Sequence, residues 1–574
     1  MKKRILTGAE IIWECLIKEG VEVVFGYPGG AILPTYDALS KYSDSVHHVL
    51  TRHEQGATHM ADGYARASGK VGVAIATSGP GAANMITGLA TAMMDSSPIV
   101  CITGQVPRPA IGSDAFQEMD ISGAVIPVTK HSYLVMEIKD LAKTIKEAFA
   151  IARSGRPGPV LIDIPKDLQA EEFEFIYPKE KVTIPGQNPI NSDISSVDLD
   201  SAVKMIAYAK KPVILAGHGV LLSGASDEVI SLSEKSSIPI SWTLLGSGAV
   251  PASHPLNMGM MGMHGEFAAN NAIHNADLLI ACGMRFDDRV TGNTKTYSPN
   301  SKKIHIEVDP SEINKNVKVD LALNGDLKFI LNNLVPKVSK KENRAWFDQI
   351  SSWQNESASR DIINMDTEIL YGAQVISDLW KETNGDAIIV SDVGQHQMLE
   401  AQYYKHDEPN TLLTSGGLGT MGFSLPAAIG ASFANRNKEI WVIVGDGSIQ
   451  MTITELATAV QENTNIKVAI INNGYLGMVR QWQQLFYDSR YSETPISSPD
   501  YVKLSEAYGL KGIRVCCRKE IPDAIKKVKE INGPSMIEFV VEQHDMVYPM
   551  VPAGANLDEM INRPVHEQFE DAEM

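Results

Sequence analysis

The residues best suited to chemistry are a carboxylate and an amide that each follow an apolar segment. Asp446 lies in the run Gly445-Asp446-Gly447-Ser448 after the apolar residues 440–444, and Asn472-Asn473 follows the apolar residues 468–471. The apolar segments are typical of buried parallel strands, and residues 454–461 between them favour a helix. In such a βαβ unit both polar groups lie at the carboxyl ends of the strands, the edge where open α/β sheets bind ligands.

These two residue types suit a hard cation. Mg²⁺ prefers an octahedron of oxygens and usually keeps positions for water and phosphate oxygens. One Asp, one Asn and a backbone carbonyl would therefore suit a metal that bridges a diphosphate. Asp-Gly and Asn-Gly are also ordinary turn dipeptides, so two simple turns are the alternative. The spacing from Asp446 to Asn473 resembles the thiamine-diphosphate motif.

A second candidate for acid–base chemistry is Glu54. It lies in the segment Thr51-Arg-His-Glu-Gln-Gly-Ala57, among small and apolar residues at helical spacing. Thiamine diphosphate needs a buried carboxylic acid at a ring nitrogen, so that its own amino group can act as the base. The alternative is a surface Glu54 paired with Arg52 or Arg66, because buried glutamates are rare.

The composition limits the classes of function. The chain has 574 residues and a net charge of -18. Nucleic acids and anionic membranes are therefore poor partners, since both need a basic patch. The basic start Met1-Lys-Lys-Arg4 lacks the apolar core of a signal peptide, and no apolar stretch reaches the roughly 20 residues of a membrane span. We expect a cytoplasmic protein whose five cysteines are reduced core thiols, with Cys516-Cys517 packed in a strand.

Strands and helices must alternate to position these groups. Buried parallel strands are expected at 21–25, 71–76, 99–103 and 160–164, and a polar stretch at 177–196 predicts a linker. A second unit begins with strands at 212–216, 278–281 and 303–308. The charged residues 337–361 mark the next boundary, and the alternation resumes over residues 371–539. The pattern predicts an α/β fold.

A set of segments in order resembles the catalytic (large) subunit of the acetohydroxyacid synthase family, also called acetolactate synthase. The resemblance runs from about residue 5 to 555. The segments are His53-Glu54-Gln55-Gly56-Ala57, Thr77-Ser-Gly-Pro-Gly81, Thr103-Gly-Gln-Val-Pro107, Asp114-Ala-Phe-Gln-Glu118, Ser154-Gly-Arg-Pro-Gly-Pro159, Pro165-Lys-Asp167, Arg285-Phe-Asp-Asp-Arg289, and residues 416–422 and 445–448.

The resemblance implies three doubly wound parallel-sheet domains of the thiamine-diphosphate enzyme type. They are a pyrimidine-binding domain at 1–175, a central FAD-binding domain at 190–340 and a diphosphate-binding and magnesium-binding domain at 365–545, followed by a C-terminal tail at 546–574. The implied cofactors are thiamine diphosphate, Mg²⁺ and FAD. The flavin is expected to be structural, because the chemistry is redox-neutral.

The implied reaction decarboxylates pyruvate and condenses the hydroxyethyl-thiamine carbanion with a second 2-keto acid. Pyruvate gives 2-acetolactate and 2-ketobutyrate gives 2-aceto-2-hydroxybutyrate, for valine, leucine and isoleucine biosynthesis. The implied partners are further copies of the chain, in a homodimer or homotetramer, and a separate small regulatory subunit. A catabolic acetolactate synthase, a pyruvate oxidase and a catalytically silent cofactor-binding protein are the alternatives.

The resemblance also assigns roles to residues. Glu54 matches the cofactor-activating glutamate, and the metal ligands match Asp446, Asn473 and the carbonyl of Tyr475. Met421 matches an apolar wedge under the cofactor, although plain core packing predicts the same side chain. The other residues expected to bind the cofactor are Gly394, Gln395, His396, Gly419, Gly445, Gly447, Ser448, Gly477 and Met478.

Substrate and flavin contacts complete the implied site. Phe116, Gln117, Lys166, Met478 and Trp482 are expected near the reacting keto acids, with Trp482 favouring 2-ketobutyrate. Lys166 could instead be a solvated strand-end lysine, and Asp309 could simply form an Asp-Pro turn. The expected flavin contacts are Arg156, His264, Gly283, Arg285, Glu307, Asp309 and Asp326.

Overall fold

Three parallel six-stranded sheets follow one another along the chain. The structure is a computed structural model that describes residues 4–184, 194–365 and 367–564. The predicted linker at 177–196 and the predicted tail at 546–574 lie partly outside these described residues. The expected α/β fold with three doubly wound parallel sheets is confirmed.

The first sheet lies in the amino-terminal part. A separate antiparallel pair of strands, β1 (Ile5–Thr7) and β8 (Glu172–Glu174), lies beside it. The six strands of the sheet itself are β2 (Val23–Gly26), β3 (His47–Leu50), β4 (Gly72–Ala76), β5 (Ile99–Gln105), β6 (His131–Leu134) and β7 (Val160–Pro165). The helices are α1 (Gly8–Lys18), α2 (Leu33–Leu39), α3 (Glu54–Ser68), α4 (Pro80–Asn84), α5 (Ile86–Asp95), α6 (Ile121–Ala124), α7 (Ile138–Arg153) and α8 (Lys166–Ala170). The sheet order is β3-β2-β4-β5-β7-β6.

The second sheet lies in the middle of the chain. Its strands are β9 (Pro212–Ala216), β10 (Ile240–Trp242), β11 (Asn257–Met260), β12 (Leu278–Cys282), β13 (Lys302–Glu307) and β14 (Leu321–Asn324). The helices are α9 (Ser196–Tyr208), α10 (His218–Ser223), α11 (Ser226–Ser236), α12 (Phe267–His274), α13 (Asp288–Thr291) and α14 (Leu327–Leu334), and α15 (Arg344–Ala358) leads to the third sheet. The strand order is β11-β10-β9-β12-β13-β14.

The third sheet carries the Asp446 motif. Its strands are β15 (Ile388–Ser391), β16 (Leu412–Thr414), β17 (Ile440–Gly445), β18 (Ile466–Asn472), β19 (Lys511–Val515) and β20 (Ser535–Val540). The helices are α16 (Gly372–Glu382), α17 (Gln395–Tyr403), α18 (Ser424–Ala434), α19 (Asp446–Thr452), α20 (Leu456–Gln461), α21 (Gly477–Phe486), α22 (Tyr501–Tyr508) and α23 (Ile521–Lys529). The strand order is β16-β15-β17-β18-β20-β19.

Each sheet is covered on both faces, which explains the continuous apolar strands. In β17, Val442 and Val444 belong to one hydrophobic core, whereas Trp441 and Ile443 belong to another on the opposite face. The alternation follows from the two-residue period of a strand. Every strand predicted from the sequence is present, with ends that differ by at most two residues.

Several sequence expectations need correction. The helical segment predicted at 454–461 already begins at Asp446, whose acidic side chain is favourable at a helix amino terminus. The predicted boundary at 337–361 does lie between the second and third sheets, but it contains the helix α15, which packs on α12. The expectation of core thiols is wrong for Cys516, which is exposed, and for Cys517, which is half-buried, and neither packs in a strand because β19 ends at Val515. Among the described residues, every helix is too short or too polar to cross a bilayer.

The first and third sheets share one hydrophobic core through the crossing of α3 and α18. Glycines make the close approach possible. A Cβ at Gly63 would lie 2.1 Å from the carbonyl oxygen of Ala427, and a Cβ at Gly430 would lie 1.9 Å from that of Met60. The crossing therefore fixes where α3 begins, at Glu54, relative to the third sheet.

Gly430→Ala should loosen this crossing, because the added methyl has no room between the two backbones. The expected loss of stability is about 1–3 kcal/mol, the usual cost of overpacking. Thermal unfolding would measure it. Gly30→Ala is the matched control, since a Cβ there meets no atom within 4 Å. Equal shifts in both variants would contradict the role of the crossing.

Candidate active site

A cavity opens at the carboxyl edge of the third sheet, where three helices begin. Helices α17, α19 and α21 start at Gln395, Asp446 and Gly477, and all three residues line this cavity. Helix amino termini present unpaired backbone N–H groups and the positive ends of helix dipoles. The cavity is therefore suited to bind an anion such as a diphosphate.

Asp446 is the acidic group of this cavity. It is 1% exposed, and burial raises the pKa of its carboxyl to about 6. The Ser498 hydroxyl donates to Oδ2 at 3.2 Å, while the Tyr501 hydroxyl donates to the backbone carbonyl of Asp446 at 2.7 Å. A cation in the cavity would compensate the buried charge.

The structure distinguishes between the two neighbouring asparagines. Asn472 turns away and donates to Glu538 at 2.8 Å, whereas Asn473 lines the cavity and donates to Gln395 Oε1 at 3.1 Å. A Cβ at Gly477 would lie 2.1 Å from Gln395 Oε1, so only glycine fits there. Tyr475 lines the same cavity. Asp446, Asn473 and the Tyr475 carbonyl thus remain the predicted ligand set.

The donor set fits a metal bridged to phosphate better than a metal held by protein alone. Among the residues that the structure describes, no cluster of three or more His, Cys, Asp or Glu side chains could hold an ion. Mg²⁺ is usually bound by one or two carboxylates together with phosphate oxygens and water. His396 supports the fit, because its buried Nε2 faces no hydrogen-bond partner in the described chain and could donate to a phosphate oxygen.

The loop of residues 415–422 forms another wall of the site and carries Gly419 and Met421. Asp392 holds its far end, because its carboxylate accepts the N–H groups of Gly422 at 2.8 Å and Ser424 at 2.9 Å. Sequence reasoning missed Asp392. Its position directly after the apolar strand β15 was the only available signal.

Asp95 holds the other end of this loop from a different domain. Its carboxylate accepts the N–H of Gly417 at 2.7 Å and that of Gly416 at 3.1 Å. Arg66 donates to the same carboxylate at 3.0 Å and also pairs with Asp62. No sequence signal linked Asp95 to this loop, because the partners are more than 300 residues apart.

Glu54 is the first residue of α3 and is 9% exposed, so it is a buried carboxyl. The side chain of Asn84 donates to its Oε2 at 2.9 Å. Arg66 pairs with aspartates, and the guanidinium of Arg52 donates to the Leu50 carbonyl and to Gln461. The alternative of a surface Glu54 paired with an arginine is therefore wrong.

Glu54 does not line the cavity that contains Asp446. All residues around that cavity lie between Gly372 and Val547, in the carboxyl-terminal part. Phe116, Gln117 and Lys166 are exposed on the amino-terminal part, Phe116 by 88%, and they are also outside it. Within a single chain, the predicted site residues of the amino-terminal part therefore lie apart from those that surround Asp446.

A larger cavity of about 1440 Å³ lies between the three sheets. It joins the first cavity along Gly394, Met421 and Met478, which line both. Trp482 also lines it, between Phe486 at 5.3 Å and the guanidinium of Arg289 at 5.9 Å. The other predicted residues in its wall are Arg156, His264, Gly283, Arg285, Glu307, Asp326 and Gly419.

The cavity follows the carboxyl ends of β12 and β13. Gly283 has a φ of +58°, and a Cβ there would lie 2.6 Å from the Gly219 Cα, so glycine keeps this wall open. Glu307 accepts the N–H of Val308 at 2.9 Å, and burial raises the pKa of its carboxyl to about 7. The buried Nδ1 of His264 has no partner among the described residues. A large polar ligand fits this arrangement.

Two residues predicted to contact the flavin, Asp326 and Asp309, already make polar contacts within the protein. Asp326 caps α14 by accepting the N–H of Phe329 at 2.8 Å, although it lines the cavity. Asp309 caps the turn at Pro310–Glu312 and lies 3.6 Å from Arg156. It is not among the cavity residues, so its predicted ribose contact stays a prediction.

A third cavity of about 630 Å³ lies between the second and third sheets, beside α15. It shares no lining residue with the other two. Glu266 lies in its wall, where burial, together with the charge of Asp361, raises the pKa of the Glu266 carboxyl to about 7. No sequence pattern indicated this cavity.

Three models of known protein domains match three successive parts of the chain. Residues 6–124 match the family model described as "Thiamine pyrophosphate enzyme, N-terminal TPP binding domain". Residues 199–334 match the corresponding central domain, and residues 392–539 match the C-terminal TPP binding domain.

Relatives align over nearly the whole chain. An acetolactate synthase of Mycobacterium leprae is 46% identical, covering 99% of this chain and 92% of the relative. The acetolactate synthase large subunit of Corynebacterium glutamicum is 47% identical, covering 96% and 89%. The acetolactate synthase isozyme 3 large subunit of Escherichia coli is 44% identical, covering 97% and 98%.

The third cavity leads to a pH prediction for Glu266→Gln. Because the folded pKa of about 7 lies above the ordinary 4.5, the glutamate favours folding at low pH, and that contribution is lost as pH rises to about 7. The variant should match the parent near pH 4.5 and be more stable above pH 7, by at most about 3 kcal/mol. Thermal unfolding at several pH values would measure the difference. Glu356→Gln, an exposed residue of the same cavity, is the control. A pH-independent difference would contradict the assignment.

Proposed function

The chain belongs to the acetolactate synthase family of thiamine pyrophosphate enzymes, and we propose that it decarboxylates pyruvate and joins the two-carbon unit to a second 2-keto acid. With pyruvate as acceptor the product is 2-acetolactate, and with 2-ketobutyrate it is 2-aceto-2-hydroxybutyrate. These products lead to valine, leucine and isoleucine. The observation that carries the proposal is the cavity where Asp446 and Asn473 meet three helix amino termini.

The proposal assigns a task to several residues of that cavity. Asp446, Asn473 and the Tyr475 carbonyl would hold Mg²⁺, and the N–H groups at the starts of α17 and α19 would bind the diphosphate. Thiamine diphosphate, when bound, supplies the electron sink for decarboxylation. Met421 would support the cofactor from the loop that Asp95 and Asp392 hold.

Glu54 would hold a proton at the ring nitrogen of the cofactor. Its burial supports this role, because a carboxyl shielded from water is suited to share a proton with a ring nitrogen. Lys166 is exposed and positively charged, so it could attract the carboxylate of an incoming keto acid. Phe116 and Gln117 would lie beside the reacting groups.

The separation of Glu54 from the Asp446 cavity supports a homodimer as the smallest active unit. In such a dimer, Glu54 of one subunit acts at the cofactor held by the other. Large exposed side chains agree with a covered surface, since Phe116, Ile126 and Met451 are 88%, 68% and 59% exposed in the single chain. The name "large subunit" of several relatives supports a separate small subunit as a further partner.

The cavity of about 1440 Å³ would hold FAD. Its size, its position at the strand ends of the second sheet and the unpaired buried nitrogen of His264 support this assignment. Arg156, Arg285 and Glu307 would contact the flavin. The flavin would have a structural role, because joining two keto acids with loss of carbon dioxide transfers no net electrons.

The first test is acetolactate formation by the purified protein, with each cofactor omitted in turn. Omission of thiamine diphosphate or Mg²⁺ should abolish product, since the electron sink or its metal bridge is then missing. Flavin absorbance should stay constant when pyruvate is added. Flavin reduction by pyruvate would indicate an oxidase instead, and absence of acetolactate would contradict the proposal.

A complementation experiment tests both site residues and the dimer. Asp446→Ala should lose Mg²⁺-dependent cofactor binding by calorimetry, and Glu54→Gln should bind cofactor but remain nearly inactive. When the two variants form mixed dimers, one of the two sites regains both residues. Random pairing should then restore about a quarter of the parental activity, because half of the dimers are mixed and carry one intact site. No recovery in verified mixed dimers would contradict a shared site.

Trp482→Leu tests the second-substrate pocket. The smaller side chain should lose contact with the ethyl group of 2-ketobutyrate while the first decarboxylation continues. With both keto acids present, the product ratio should shift toward acetolactate by roughly tenfold, as expected for about 1–3 kcal/mol of pocket contact. Turnover of pyruvate alone should change much less. An unchanged ratio would show that Trp482 only packs against Phe486 and Arg289.

A further inference from the structure

Glu455 is a buried carboxylate that lies close to Asp446 in the sequence but makes different contacts. It is 1% exposed and ends the short turn Ile453–Glu455, which continues α19. Its oxygens accept hydrogen bonds from a different domain. The N–H of Arg52 donates to Oε1 at 3.0 Å and to Oε2 at 3.2 Å, and the N–H of His53 donates to Oε1 at 3.1 Å.

Arg52 and His53 are the two residues directly before Glu54. His53 is the amino-terminal cap of α3, so Glu455 binds the backbone at the point where that helix begins. A negative charge there is favoured by the helix dipole and satisfies backbone N–H groups that would otherwise lack partners. The interaction therefore fixes the backbone from which the Glu54 side chain extends.

The surroundings of Glu455 are shaped for this contact. A Cβ at Gly56 would lie 2.3 Å from Glu455 Oε1, so the absence of a side chain at residue 56 makes room for the carboxylate. The hydroxyl of Thr458 donates to Oε2 at 2.7 Å and orients the group from its own domain. Burial raises the pKa of this carboxyl, and the hydrogen bonds from Thr458, Arg52 and His53 oppose that effect.

We propose that Glu455 is a positioning residue that sets the place of Glu54 at the cofactor ring through the backbone of residues 52 and 53. This inference rests on the proposed role of Glu54. A general acid must lie within hydrogen-bond reach of the atom that it serves, so a small displacement of its backbone matters. Asn84 binds the carboxylate of the Glu54 side chain, and Glu455 binds the backbone directly before Glu54.

The position of Glu455 also relates the two sites of the proposed dimer. Residues 446–461 form one nearly continuous helical segment, which begins at the predicted metal ligand and includes Glu455. In the dimer, Glu54 acts at the partner's cofactor. The segment that holds one cofactor therefore also holds the acid that serves the other.

The test compares two variants with a matched control. Glu455→Gln removes the negative charge and one of the two acceptor oxygens, and Gly56→Ala displaces the Glu455 carboxylate. Glu462→Gln is the control, because Glu462 pairs with His47 at 2.8 Å across the same two domains but does not touch residues 52–54. Thermal unfolding of all variants reports whether they fold.

The first readout needs no cofactor. Hydrogen exchange of the backbone amides of Arg52 and His53 should be about tenfold or more faster in Glu455→Gln and Gly56→Ala than in the parent, because the charged acceptor is replaced by a weaker amide oxygen or displaced. In Glu462→Gln these two amides should keep the parental exchange rate.

The second readout is deuterium exchange at the C2 proton of bound thiamine diphosphate, measured at saturating cofactor and Mg²⁺. Glu455→Gln and Gly56→Ala should slow it by roughly tenfold to 100-fold, the size of effect that a misplacement of about 1 Å produces. Cofactor affinity should change little, because the diphosphate contacts remain. Glu54→Gln should slow exchange by about 10²–10⁴. Glu462→Gln should exchange at the parental rate.

The outcomes separate the inference from the proposed function. Parental exchange in Glu54→Gln would overturn the role of Glu54 itself. Slow exchange in Glu54→Gln with parental exchange in Glu455→Gln would overturn the positioning role alone. Equal slowing in Glu462→Gln would also overturn it, since general domain docking would then explain the effect. If Glu455→Gln fails to fold, Gly56→Ala decides by the same criteria.

Discussion

The close crossing of α3 and α18 is the contact on which the active-site geometry depends. Helix α3 starts with Glu54, and α18 follows the loop that carries Met421. Gly63 and Gly430 allow the two backbones to touch, so the helices cannot slide without a clash. The crossing thus sets the relative position of the two sheets through helices that lie more than 300 residues apart in the sequence. The carboxylates of Asp95 and Glu455 then bind backbone across the same junction.

The sequence predicted those parts of the site that depend on local pattern. Asp446 and Asn473 follow apolar strands, and the parallel sheet brings them to one edge without further information. Reasoning from residue types alone could not decide whether Glu54 is buried, since helical spacing permits either face. The structure decides it by placing Arg52 and Arg66 on other partners. Nor could spacing tell Asn472 from Asn473, because their side chains differ only in direction.

Of the residues that sequence reasoning missed, Asp95 and Glu455 act across domains, whereas Asp392 acts on a loop of its own domain. Asp392, Asp95 and Glu455 are aspartates and glutamates without a motif, and each gains its role from backbone N–H groups of a distant segment. Errors also arose where local pattern had no tertiary context. The charged stretch at 337–361 lies between the second and third sheets as predicted, but the pattern did not show that α15 forms within it, where Trp346 and Ile350 are buried. Cys516 is exposed because the strand ends one residue before it.

Buried carboxyls in this protein fall into two kinds, and their hydrogen bonds separate them. Asp392 accepts the N–H groups of Val393, Gly422 and Ser424 and the Ser424 hydroxyl, so both of its oxygens are used. Such a group stabilises a loop and has no acceptor left for a ligand. Glu54 differs, because among the described residues it accepts one bond, from Asn84 to Oε2. The other oxygen of Glu54 therefore remains available to a ligand. Asp392 has no comparable free acceptor, so the sparsely bonded Glu54, and not the fully bonded Asp392, fits the proposed acid–base role.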